Sequence, residues 1–122
     1  MQPTVALFIF FSAMSASAAT LRRQANDADF GKCTPTMDFQ LGRAGRKADQ
    51  GTFLPTDPLV AKGQQDALNP NIITNRICDQ LTNVCEANQA AKDKCKQAKA
   101  QLSTAGIKDA SAATTFNSAL GF

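Results

Sequence analysis

"NPNIITNRICDQLTNVCEANQAAKDKC", residues 69–95, holds three of the four cysteines and enough helical periodicity to form one long helix. Ile73, Ile77, Val84, Ala91, Cys95, Ala98 and Leu102 share one stripe of a helical wheel, so pattern alone allows an unbroken helix from about Asn71 to Leu102. The cysteines argue against it. At 1.5 Å per residue, Cys78 and Cys85 would stand about 10 Å apart along the axis and Cys85 and Cys95 about 15 Å, whereas a disulfide holds its Cα atoms within about 7 Å. A continuous helix could therefore pair only one of its cysteines, with the remote Cys33. If all four pair, the chain must fold back between Cys78 and Cys95. The place is "NVCEAN", residues 83–88, because Asn88 can cap a second helix running from Gln89 to about Leu102.

Four cysteines allow three connectivities. Folding at residues 83–88 sets Cys78 opposite Cys95, which favours that bridge together with Cys33–Cys85 and leaves the other two pairings open. A metal site fits less well: the Cys-x6-Cys and Cys-x9-Cys spacings are not those of zinc knuckles, and the chain has no histidine.

The flanking sequence extends the pattern. Asn69 can cap, and Pro70 can open, a helix carrying Ile73, Ile77 and Leu81 at four-residue spacing. Upstream, Asp57 and Pro58 repeat the same start signal and predict a short helix from Pro58 to Leu68, with Leu59, Gly63 and Ala67 on one face. Before it, "TMDFQL", residues 36–41, alternates polar and apolar residues and sets Met37, Phe39 and Leu41 on one side. "TFLP", residues 52–55, supplies a partner strand that Pro55 would stop, giving a hairpin over 36–54 around the loop "GRAGRKADQG". Downstream, Gly106 ends the second long helix, and Asp109 can cap a last one with Phe116 and Leu120 four residues apart. That tail is read as either a docked helix or a partly disordered segment. The expected fold is mainly α with a small β-hairpin: one disulfide-stabilised α+β domain built on an α-helical hairpin, its helical region spanning 58–120.

The N-terminus bears on the redox setting. "VALFIFF", residues 5–11, has the length of a signal-peptide core, no charged side chain precedes Thr20, and Ala16 and Ala18 are the small residues a signal peptidase needs. Residues 1–18 are therefore expected to be a signal peptide, with cleavage after Ala19 as a second choice, although "MQPT" lacks Lys or Arg. The apolar run is too short to span a bilayer. Arg22 and Arg23 then read as a dibasic cleavage signal ending a pro-segment, 19–23; the alternative is a solvated tail. This leaves a secreted domain, 24–122, with a flexible lead-in over 24–32, in a compartment where cysteines oxidise. The charge argument changes with the cut. The full chain has 13 Lys and Arg against 10 Asp and Glu, and removing Arg22 and Arg23 lowers the balance from +3 to +1. No dense basic surface remains, so a nucleic-acid partner is not expected.

Catalytic motifs are missing. Without histidine there is no Ser-His-Asp or Cys-His hydrolase, and no His-dependent nuclease. A carboxylate pair could in principle hydrolyse a glycoside, but the chain has no Trp or Tyr to stack on a sugar. No enzyme activity, metal or cofactor is expected. Three polar strings remain. Arg43, Arg46 and Lys47 lie in the Gly-containing loop, as either a solvated turn or a contact tip for a partner. Lys92, Lys96 and Lys99 share one helix face, usually a solvated one, with an anionic lipid or polyanion as the alternative. Asn69, Asn71, Asn75 and Arg76 are read as caps and a buried packing network, or as a polar contact patch.

The string "DPLVAKGQQDALNPNIITNRICDQLTNVC", residues 57–85, with "GRAGRKADQGTF" before it and "ANQAAKDKC" after it, resembles a family of small secreted cysteine-containing proteins of filamentous fungi described as effector-like. The resemblance covers about residues 42–95 and implies an extracellular, non-enzymatic protein; the family brings no catalytic set. The expected function is surface recognition of an extracellular protein or cell-wall component. The alternatives are a structural or cell-wall-associated protein and, further off, a small carboxylate-dependent hydrolase.

Overall fold

Alternating side chains build a two-stranded antiparallel sheet from β1 (Met37–Leu41) and β2 (Gly51–Pro55), with Met37 opposite Pro55, Phe39 opposite Phe53 and Leu41 opposite Gly51. The computed structural model describes residues 27–122. The expected signal peptide, the pro-segment with Arg22 and Arg23, Ala18 and the first lead-in residues, 24–26, lie outside the described residues.

Phe53 exchanges both backbone hydrogen bonds with Ala67, at 2.8 and 3.0 Å, on the edge of β2 away from β1. Two residues on, the nitrogen of Pro55 points to that same edge, so its missing N–H costs the hairpin nothing. On the opposite edge, Met37 donates its N–H to Asn117 Oδ1 at 3.0 Å and accepts from Asn117 Nδ2 at 2.9 Å. Both edges of a sheet too small to stand alone are thus covered. Leu41 departs from the expected inward face: it is 60% exposed, because the helices cover only the Met37 end of the sheet.

Four helices follow: α1 (Pro58–Ala61), α2 (Pro70–Asn83), α3 (Gln89–Ala105) and α4 (Ala110–Ala119). Each begins at a side-chain cap, with Asp57, Asn69, Asn88 and Asp109 accepting from Leu59, Asn71, Ala91 and Ser111. The first helix corrects the expectation of 58–68. It stops after one turn, since Gly63 takes a left-handed conformation and Ala67 is drawn into the bridge with Phe53. Leu59, Gly63 and Ala67 therefore share no helical face.

Between α2 and α3 the chain turns at Val84–Asn88, where Glu86 adopts a positive φ of 58°. The long-helix alternative is absent. Of the three pairings open to four cysteines, the structure has Cys33–Cys85 and Cys78–Cys95, with Cα separations of 5.3 and 5.6 Å. Residues 27–32 lie against this corner: Asn88 exchanges backbone and side-chain hydrogen bonds with Asp29, and Lys32 donates to the Cys85 carbonyl at 2.8 Å.

Ile73, Ile77 and Leu81 of α2 meet Ala91, Cys95, Ala98 and Leu102 of α3 in the core, beside Met37, Phe53 and Val60. The small residues of α3 let its backbone approach α2 closely enough for the Cys78–Cys95 bridge. The tail is docked: Ala112, Phe116 and Leu120 are buried, and Phe122 packs edge-on against Phe30 with centroids 5.7 Å apart. No described helix is long and apolar enough to cross a membrane.

Candidate functional site

Opposite its buried Ile73–Ile77–Leu81 stripe, α2 carries Asn71, Asn75, Asp79 and Asn83, polar residues recurring every four positions. Because α3 returns antiparallel, its outward face brings Lys99, Lys96 and Lys92 alongside them in that order. Two depressions, of about 630 and 440 Å³, lie along this seam and share Asp79 and Lys99 as common wall. They form one trough. Lys99 Nζ donates to Asn75 Oδ1 at 2.9 Å across its middle, and Cys78 of the interhelix disulfide lines the half toward the corner.

The N-terminal half of the trough is lined by Gln64, Asn71, Ile72, Arg76 and Ser103. Ile72 is half exposed there, the one large apolar side chain in the lining. Arg76 extends past the end of α1 to donate to the Lys62 carbonyl at 2.7 Å, while its Nε is buried without a partner. The other half is lined by Thr82, Asn83 and Gln89 with Lys92 and Lys96.

Electrostatics distinguish this surface from the hairpin loop. Among the described residues, the ion pairs are Lys32–Glu86, Arg43–Asp38 and Arg46–Asp66. Arg76, Lys92, Lys96 and Lys99 therefore have no carboxylate within ion-pair distance. With Asp79 the trough lining carries a net charge of +3, against +1 for all residues from Asp27 onward.

The loop cations sit differently. The side chains of Arg43 and Arg46 are only 14% and 28% exposed, and both are engaged within the molecule. Arg46 donates from Nε to Asp66 Oδ2 at 3.1 Å and from Nη2 to the Asp66 carbonyl at 3.2 Å. The Asp66 carboxyl is held below its ordinary value, first by the nearby Thr52 hydroxyl, which stops short of full hydrogen-bond geometry, and then by Arg46. Of the three loop residues named from the sequence, only Lys47 is exposed.

Asn71, Asn75 and Arg76 line the trough, and Asn69 is the α2 cap. The structure thus brings together two strings that lie apart in the sequence, residues 69–76 and 92–99. It also adds Gln64, Asp79, Thr82 and Asn83. The four-residue polar repeat on α2 was the available signal for Asp79 and Asn83; Gln64, in an irregular loop, had none. In comparisons with known proteins, no family model, no curated protein and no solved structure matches the chain.

Proposed function

We propose that this is a secreted recognition protein without catalytic activity, and that its contact surface is the α2–α3 trough. The observation that carries the reading is the gathering of four cations without ion-pair partners, together with side-chain amides, on one concave face. None of these cations must break an ion pair to engage a partner; Arg76 and Lys99 give up only hydrogen bonds, to the Lys62 carbonyl and to Asn75. Two disulfides in a chain of this size fit an extracellular protein, and the apolar leader and the resemblance to small secreted fungal proteins point the same way. The apolar residues of the tail, Phe116 and Leu120, are buried in the core, which favours recognition over retention by an exposed greasy segment.

The test has two readings. Intact mass spectrometry of the exported protein should give a chain starting at Gln24 with both disulfides formed. Retention on isolated cell-wall material or captured extracellular partner should then fall for Arg76→Glu/Lys96→Glu and hold for Lys47→Glu. Equal retention of wild type and the trough variant would remove the trough from the account.

A further inference from the structure

We infer that the trough binds an acidic polysaccharide, a chain of sugar units bearing carboxylates; this rests on the reading of the trough as the recognition surface. Charge complementarity gives the sign of the ligand, since Arg76, Lys92, Lys96 and Lys99 outnumber the single carboxylate of Asp79. Spacing gives its form. Lys92, Lys96 and Lys99 are separated by four and three residues, so their Cα atoms stand about 6 and about 4.5 Å apart along α3. That interval is comparable to the length of one sugar unit, so a linear chain can offer successive carboxylates to successive lysines.

The other lining groups fit hydroxyl-rich ligands. The Asn71 amide presents a donor and an acceptor side by side. Gln64, Asn83 and Gln89 each donate one amide N–H, to the Gln65 carbonyl, Gln80 Oε1 and Asp93 Oδ1, and keep the amide oxygen and the second N–H for a ligand. A sugar hydroxyl also both donates and accepts. The absence of Trp and Tyr weakens stacking on neutral sugars but leaves charge-assisted recognition of uronates intact.

Other anionic partners fit less well. A membrane surface calls for large apolar side chains beside the lysines, and this concave face exposes Ile72 alone. An acidic peptide would be read by a cluster of arginines, and the lining has one, Arg76, which already donates to the Lys62 carbonyl. A nucleic acid would meet only four cations and no aromatic platform.

The experiment is calorimetric titration of the exported protein with polygalacturonate oligomers at low ionic strength. Fully methyl-esterified oligomers supply the same backbone without charge, and anionic phospholipid vesicles and polyglutamate are run in parallel. The expected result is binding to polygalacturonate that is lost on esterification, weakens with added salt, and falls about tenfold in Lys92→Glu/Lys96→Glu at an unchanged melting temperature, with Lys47→Glu as wild type. No binding to polygalacturonate, equal binding of the esterified form, tighter binding to vesicles or polyglutamate, or an undiminished double variant would each overturn the inference. If polygalacturonate fails while the trough variant still loses retention on cell-wall material, the acidic-glycan assignment falls and the recognition surface stands. If retention is also unchanged, both fall.

Discussion

Asn117, in α4, supplies the backbone of Met37 with a substitute third strand: its side-chain amide accepts from the Met37 N–H at 3.0 Å and donates to the Met37 carbonyl at 2.9 Å. This one amide links the last helix to the free edge of the sheet across 80 residues of sequence. Asn117→Ala leaves both backbone groups without partners in a part-buried setting, so unfolding by urea should show a loss of about 2 kcal/mol. A loss within error would mean that water replaces the amide freely.

The two disulfides close loops of different length, 52 residues for Cys33–Cys85 and 17 for Cys78–Cys95. Chain entropy assigns them about 4 and about 3 kcal/mol respectively. Paired Cys→Ala variants should therefore rank with the Cys33–Cys85 deletion the less stable, as measured by denaturant midpoint. The reverse order would show that the short bridge holds the α2–α3 seam by more than loop closure.

Gly31 and Gly106 both occupy left-handed conformations, at φ of 66° and 68°, but their surroundings differ. A Cβ at Gly106 meets nothing within 4 Å, whereas at Gly31 it would lie 2.0 Å from the Cys85 carbonyl oxygen. Gly106→Ala should cost only the backbone penalty of about 1 kcal/mol. Gly31→Ala should cost distinctly more, since the lead-in must also leave the corner it packs against. Equal melting temperatures for the two would contradict the close approach.

Acid should reveal the Asp66 pair. Its folded-state pKa is lowered, so its stabilising contribution is fully present above the unfolded value of about 3.9 and is lost as pH falls through the lower folded value. Asp66→Asn should remove that part of the acid sensitivity while retaining the shape of the site. Stability against pH, compared for wild type and variant, checks the sign: the gap between them should close on acidification.

Charge reversal in the hairpin loop should separate structure from recognition. Arg43→Glu sets a carboxylate against Asp38 at a side chain only 14% exposed, so a stability loss of about 1–2 kcal/mol is expected. Lys47→Glu, at an exposed position, should stay within about 0.5 kcal/mol of wild type. Thermal melts of the two variants decide it.

Much of the fold was legible because its signals are local. Asp57, Asn69, Asn88 and Asp109 each cap a helix through an amide two or three residues away, and the pairing of all four cysteines requires the bend that separates α2 from α3. The failures involve distant partners. Nothing near Ala67 announces its pairing with Phe53, which with Gly63 cuts α1 to a single turn, and Asn117 looks like any polar helix residue until Met37 is beside it. The site shows the same division. The lysine stripe and the asparagine string were each visible, but a stripe on one helix reads as solvated until the fold-back sets a second polar stripe against it. Arg43 and Arg46 stood out by their charge, while Asp38 and Asp66, which neutralise them, gave no sign of pairing with them in the sequence.

The claim that the trough is the contact surface is tested most directly by lysine labelling, read by mass spectrometry on the protein free in solution and seated on isolated cell-wall material. The account expects Lys92, Lys96 and Lys99 to be protected in the bound state, with Lys47 and Lys108 labelled as before. Protection confined to Lys47, with the three α3 lysines unchanged, would return the contact to the hairpin loop and contradict the account.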